Sequence, residues 1–108
     1  MVTEQISVFQ AVADPTRRAI LDRLRGGGKA VNDIAKAFPV SRPAISKHLR
    51  VLSEARLVTE VQEGRYHVYR LNAAPLRELD RWLDRYRQLW TINLASLKKH
   101  VEAKEKKR

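Results

Sequence analysis

The sequence contains no cysteine. Disulfide scaffolds, zinc fingers built on thiolates and thiolate redox sensors are therefore excluded. No stretch approaches the roughly 18 apolar residues that a membrane span needs. Residues 1–5 also lack the basic start and apolar run of a signal peptide. From these absences we expect a cytoplasmic protein with no membrane partner.

Acidic residues are scarce relative to basic ones. The 108 residues include 22 Lys and Arg against 12 Asp and Glu, which gives a formal net charge of +10. Such a chain is attracted to polyanions, either nucleic acid or an anionic membrane surface. Charge alone is also compatible with a merely solvated basic surface. The length predicts a single domain over residues 1–108, small enough that a partner subunit could help to cover apolar surface.

Hydrophobic spacing and capping residues predict four helices in the first half of the chain. The first is a short helix within Ile6–Ala13, and the second begins at Pro15 after the cap Asp14. The glycine triplet at 26–28 does not follow the phosphate-loop pattern, so we interpret it as the turn that ends the second helix. A third helix is predicted over Val31–Ala37. A fourth is capped by Ser41 and ends at about Ala55.

Beyond Leu57 the hydrophobic period changes from helical to alternating. Residues 58–62 and 66–71 flank a Glu63-Gly64-Arg65 turn, which predicts a β-hairpin. A long helix follows over about 75–103. The predicted fold is mainly α with a small β-hairpin, a winged helix-turn-helix. The third and fourth helices form the helix-turn-helix, and the hairpin over 58–71 forms the wing.

The fourth helix, about 41–55, carries the functional prediction. Ile45, Leu49 and Leu52 lie at i, i+4 and i+7, so they fix one face to the core. The opposite face is basic and has no acidic residue between Ser41 and Arg50. The helix N-terminus also suits a phosphate. We therefore expect double-stranded DNA to be bound by Ser41, Arg42, Pro43, Ser46, Lys47, His48 and Arg50, with Arg65 and His67 contributed by the wing.

The last predicted helix has more apolar surface than a domain of this size can cover. Its apolar residues step by three and four from Leu76, as in the seam of packed helices. At 1.5 Å per residue the helix is about 42 Å long. A second copy of the chain would cover the excess. The expected homodimer interface comprises Phe9, Leu79, Leu83, Tyr86, Trp90, Leu94 and Leu97.

Several segments together resemble the ArsR/SmtB family of prokaryotic repressors, and most closely its metal-independent members. They are Ala13–Leu21, Ser41–Leu52, Gly64–Leu71 and Pro75–Trp90. The resemblance implies a homodimer formed by the first and last helices, and a repressor that binds a pseudo-palindromic operator. One departure is Arg56, where the family often has glycine. We expect this residue to end the helix without the left-handed geometry that glycine adopts easily, at a small cost.

The metal sites of the family are not reproduced in this sequence. The positions of its Cys-x-Cys pair hold Ala30 and Asn32. The site on the last helix falls on Asp84, Tyr86, Leu97 and His100, which leaves two ligands where a tetrahedral site needs four. We therefore expect no metal and no cofactor, and the inducer stays open. No nucleophile–base–orienter motif appears, so the chain is not expected to be an enzyme.

Two other classes of function stay open at this point. A winged-helix module used only for protein contact would normally lack the unbroken basic surface. A basic RNA-binding or nucleoid-type protein would need aromatic side chains interleaved with the basic ones. Only Tyr66 and Tyr69 could serve, and we expect Tyr69 to face inward. The operator, the regulated genes and any role of the basic tail in binding DNA are not readable from the sequence.

Overall fold

The computed structural model describes residues 6–106, without the side chains of 92–96 and 102–106. The backbone divides into two compact units, the first ending at Arg77 and the second beginning at Glu78. The elements in chain order are α1 (Val8–Ala11), α2 (Pro15–Leu24), β1 (Lys29–Ala30), α3 (Val31–Lys36), α4 (Arg42–Glu54), β2 (Val58–Glu63), β3 (Tyr66–Leu71) and α5 (Leu76–Lys106).

The two longer helices of the first unit begin at the predicted caps. The carboxylate of Asp14 accepts a 2.9 Å hydrogen bond from the amide of Arg17 at the start of α2. The hydroxyl oxygen of Ser41 accepts one of 3.3 Å from the amide of Ala44 at the start of α4. Each cap satisfies an amide that has no partner within its helix. By contrast α1 is only four residues long, shorter than predicted.

The prediction for the backbone of Arg56, at the end of α4, is wrong. Arg56 does adopt the left-handed conformation, with φ of 64°. Its amide donates to the carbonyl of Ser53 at 3.0 Å, and the amide of Leu57 donates to that of Leu52 at 2.9 Å. This pair of bonds is the Schellman arrangement, which satisfies the last carbonyls of a helix. Leu57 is fully buried, so its anchoring in the core holds Arg56 in this conformation.

The core of the first unit joins its helices to the start of the sheet. Ile45, Leu49 and Leu52 are fully buried, which confirms the predicted inward face of α4. They share the core with residues of the other elements that are almost entirely inaccessible to water, which are Ile20, Leu24, Ile34, Leu57 and Val58. One face of α4 is thereby fixed, so the opposite face must point to solvent.

The sheet has three antiparallel strands in the order β1-β3-β2. The predicted hairpin is present, with register from Val58 opposite Leu71 to Glu63 opposite Tyr66. Its turn contains Gly64 at φ of 62°, in the left-handed region that glycine adopts without strain. The third strand, β1, was not predicted. It pairs Lys29 with Tyr69 and so ties the segment before α3 to the wing.

The second unit contains the long helix α5 from Glu78 onward. This helix continues to Lys106 and so past the predicted end. Leu79 and Leu83 are half-buried. Most of the other described apolar side chains on this helix are exposed, and they are Trp82, Tyr86, Leu89, Trp90, Leu97 and Val101. Within residues 6–106, no helix is both long and apolar enough to cross a membrane.

Candidate nucleic-acid interface

The exposed face of α4 holds six of the seven helix residues predicted to bind DNA. They are Ser41, Arg42, Pro43, Ser46, Lys47 and Arg50. Within the described part of the chain, no carboxylate forms an ion pair with any of the three cations in this group. We call these six residues the basic face. It carries positive charge that no described carboxylate compensates, as a phosphate-binding surface requires.

Ser41 shapes the end of α4 that such a surface would present. Its oxygen is occupied by the amide of Ala44, while its hydroxyl hydrogen can still be donated. The positive end of the helix dipole lies at the same place. Arg42 is the next residue and is exposed, so its fork of donors lies beside this end. The hydroxyl of Ser41 and the guanidinium of Arg42 can each bind a phosphate or a base edge.

His48 is placed differently from the other predicted residues. It is half-buried, and its Nδ1 lies 3.4 Å from Nη1 of Arg17 and 3.9 Å from the carboxylate of Asp14. The pKa of Asp14 is below its ordinary value, chiefly because the amide of Arg17 donates to the carboxylate, although burial opposes this shift. His48 therefore faces the start of α2 and is separate from the basic face. Arg17 itself was missed, because no pattern on α2 signals a contact with α4.

The wing offers one unpaired cation among its described residues, Arg65 in the turn between β2 and β3. The other two wing residues that can carry positive charge, His67 and Arg70, face acids. Nδ1 of His67 lies 2.6 Å from a carboxylate oxygen of Glu60, and Arg70 donates to Glu63 at 2.9 Å. His67 is exposed as predicted, but this contact engages one of its two ring nitrogens. Arg65 is the wing residue best suited to a phosphate.

The two tyrosines of the wing differ in accessibility. Tyr66 is 64% exposed, whereas Tyr69 is half-buried, as predicted. Burial raises the pKa of Tyr69, and the adjacent carboxylate of Glu60 raises it further by its charge and by a hydrogen bond. A single exposed aromatic ring does not form a platform for successive unpaired bases. The wing is therefore better suited to duplex DNA than to single-stranded RNA.

The long helix α5 has a broad exposed apolar face and a separate polar side. Trp82 and Tyr86 pack edge to face, with ring centroids 5.3 Å apart. On the polar side Arg87 forms ion pairs with Asp80 and Asp84. The predicted interface residues Leu79, Leu83, Tyr86, Trp90 and Leu97 all lie on this described part of the helix, and the side chain of Leu94 lies outside it. Phe9, on α1, is 36% exposed.

The described residues include no group of three or more His, Asp or Glu side chains placed to share a metal ion. Of the two ligands that the sequence left at the last-helix site, Asp84 forms an ion pair with Arg87. His100 is exposed on the same helix.

Comparison with known proteins identifies similar transcriptional regulators. Residues 12–61 match the family model of a helix-turn-helix domain. The chain is 42% identical over 77 residues to the transcriptional repressor SdpR of Bacillus subtilis, with 71% of this chain and 86% of that protein covered.

Solved structures extend the similarity to the three-dimensional fold. An ArsR family transcriptional regulator shares 35% identity and a TM-score of 0.68, with 77% of this chain and 91% of that chain covered. The homodimeric winged helix-turn-helix DNA-binding domain of a possible ArsR-family regulator from Mycobacterium bovis shares 30% identity and a TM-score of 0.61, with 73% and 76% covered.

Proposed function

The chain belongs to the ArsR family of winged helix-turn-helix transcriptional regulators, and from that premise we propose that it is a homodimeric repressor that binds operator DNA. The observation that carries the proposal is the basic face of α4, whose cations have no carboxylate partner among the described residues. A helix of this kind enters the major groove with its N-terminal residues at the base edges. We propose no catalytic role for this protein.

Most residues of the proposed interface can be given a role from their position. Arg42 lies at the start of α4, where a guanidinium can bind guanine through two hydrogen bonds. Ser46, Lys47 and Arg50 lie along the same face and bind base edges or phosphates. Arg65 extends from the turn of the wing and binds a phosphate or the minor groove. In this arrangement His67 is a minor contact, since Glu60 already engages one side of its ring.

Dimerisation is supported by the apolar face of α5, which a monomer would leave exposed to water. Trp90 is 50% exposed and Leu97 is 59% exposed. Burying such side chains against a second copy gains about 25 cal/mol per Å² of apolar surface. A two-fold dimer presents two copies of α4, which read half-sites about 34–36 Å apart. The operator is therefore expected to be pseudo-palindromic.

The experiment that tests this function is a fluorescence anisotropy titration of labelled nucleic acids. The operator is first obtained by sequencing the duplexes that the protein retains from its fragmented genome. Operator DNA, a random duplex of equal length and single-stranded RNA are then compared at one salt concentration. We expect the operator to bind at least about 10³-fold more tightly than random duplex. Equal binding to both duplexes, or preference for the RNA, would refute the repressor function.

We also propose that operator binding needs no metal ion. The support is chemical, since the chain has no cysteine and the family position on the last helix keeps only Asp84 and His100 as ligands. We expect the dissociation constant for the operator to be unchanged by EDTA or by added zinc. Release of DNA at one zinc ion per subunit would contradict this proposal.

A further inference from the structure

The side chain of Arg17 links α1 to α4. Its Nε donates a 2.7 Å hydrogen bond to the carbonyl of Ala11, and its Nη2 donates one of 3.0 Å to the carbonyl of Gln10. Its remaining nitrogen, Nη1, lies 3.4 Å from Nδ1 of His48 on α4. All three nitrogens of one guanidinium are thus engaged, two by the end of α1 and one by α4.

The chemistry of each partner explains why an arginine occupies this position. The carbonyls of Gln10 and Ala11 lie at the end of α1, where helix carbonyls lack partners within the helix, and a charged planar donor binds both of them at once. The carbonyl of Gln10 also accepts a 3.2 Å bond from the amide of Ala13. The ring nitrogen of His48 can accept from Arg17 only when it carries no proton. His48 lies between the buried positions Ile45 and Leu49 in sequence and directly after Lys47 of the basic face. A shift of His48 would therefore move that face.

We propose that Arg17 is a positioning residue, which holds α4 through His48 in the orientation that reads operator DNA. The inference rests on the proposed function and adds a residue outside the basic face. It also gives α1 a role in reading DNA, since Arg17 fixes α4 to the carbonyls at the end of that helix. Phe9 of α1 belongs to the expected dimer interface, so this contact joins the interface to the reading helix.

A positioning role differs measurably from a direct contact with phosphate. Arg17 is half-buried, and its nitrogens are directed at protein acceptors. Loss of a positioning contact weakens operator binding, because base contacts depend on the orientation of α4, and leaves random duplex unaffected. Loss of a phosphate contact would instead weaken both duplexes and lower the salt slope by about one unit.

Arg18 provides a matched control on the same helix. Its Nη1 also donates to a carbonyl of the α1 end, that of Val12 at 2.8 Å, and it forms no described contact with α4. We therefore compare Arg17→Met with Arg18→Met by anisotropy on operator and random duplex. We expect Arg17→Met to bind the operator about ten-fold more weakly than the wild type, and Arg18→Met to bind it as the wild type does. Thermal unfolding of both variants accounts for any loss of stability that they share.

His48 provides a second and independent arm. In His48→Asn the amide places an acceptor close to the position of Nδ1, whereas His48→Leu removes it. We expect Asn to retain most of the operator affinity and Leu to lose at least as much as Arg17→Met does, because Leu also removes the contact with Asp14. The double variant Arg17→Met/His48→Leu should be no weaker than His48→Leu, because the second substitution removes a link that is already lost.

The outcomes separate this inference from the function on which it rests. Equal operator affinities for Arg17→Met and Arg18→Met, or unchanged affinity for His48→Leu, would overturn the positioning role. If Arg17→Met does not fold, the two His48 variants decide. A wild-type protein that does not prefer operator over random duplex would refute the repressor function instead.

Discussion

The side-chain amide of Asn72 donates a 2.8 Å hydrogen bond to the carbonyl oxygen of Arg56. The backbone amide of Asn72 donates a second bond of 2.8 Å to the carbonyl of Leu57. Among the described residues other than glycine, Arg56 alone has a positive φ. The residue that follows β3 therefore holds the left-handed turn between α4 and β2, so the reading helix and the wing are joined at a fixed point.

Replacing Arg56 with glycine should stabilise the protein. A side chain in the left-handed region costs about 1–2 kcal/mol, and glycine avoids this but loses more chain entropy on folding. We expect the free energy of unfolding, measured by urea denaturation, to rise by about 0.5–1 kcal/mol. Arg56→Ala is the matched control, because it removes the guanidinium and keeps the Cβ. An equal gain for both variants would show that the charge, and not the backbone, limits stability.

A methyl group at Gly28 should destabilise the protein. A Cβ built there lies 2.7 Å from Cγ1 of Val68 and 3.0 Å from Cγ of Arg70, both on β3. Gly28→Ala should therefore lower the free energy of unfolding by about 1–3 kcal/mol, the usual cost of overpacking. Gly26→Ala is the control, because its Cβ meets only a carbonyl oxygen at 3.9 Å. A Gly28→Ala variant as stable as Gly26→Ala would contradict the close approach of this turn to the wing.

The predictable parts of this fold are those with a repeated pattern. The inward face of α4 follows from three apolar residues at helical spacing, and the hairpin follows from alternation on both sides of Gly64. Strand β1 has two residues, Lys29 and Ala30, which are too few to show any alternation. It exists because β3 offers a free edge beside it, and that neighbour is set by the tertiary structure.

In the candidate site, too, some features could be predicted from the sequence and others could not. Exposure of Arg42, Lys47 and Arg50 follows from helical geometry once the buried face is known. The orientation of His48 does not, since its position borders both faces and its direction is decided by Asp14 and Arg17. Those residues lie more than 30 positions earlier in the chain. Sequence spacing within one helix carries no information about such a contact.

Dimerisation through α5 can be tested with charge on its exposed apolar face. The double variant Trp90→Asp/Leu97→Asp should sediment as a monomer at micromolar concentration and lose operator affinity. Two apolar side chains of the expected interface become carboxylates, which are costly to bury. Gln88→Asp is the control, since this residue is exposed and lies off the apolar face. It should remain dimeric. A wild-type chain that sediments as a monomer at the same concentration would refute the interface.

Arg42 is expected to read sequence. A guanidinium at the start of α4 can bind a guanine through two hydrogen bonds only where the operator places that base. Arg42→Ala should therefore cost about 1–3 kcal/mol on the operator and much less on random duplex. Titrations of both duplexes at one salt concentration measure the difference. Equal losses on the two would assign Arg42 to the backbone and shift the reading of bases to Ser46 and Lys47.

Arg65 is expected to bind the DNA backbone without reading it. It lies in the turn of the wing, and no described carboxylate forms an ion pair with it, whereas Arg70 nearby is paired with Glu63. One phosphate contact releases about one counterion, so Arg65→Ala should weaken operator and random duplex alike and lower the salt slope by about one unit. Arg70→Ala is the control and should change the slope little, because its charge is already compensated. If Arg65→Ala weakens only the operator, the wing reads bases in the minor groove, and the division between Arg42 and Arg65 is wrong.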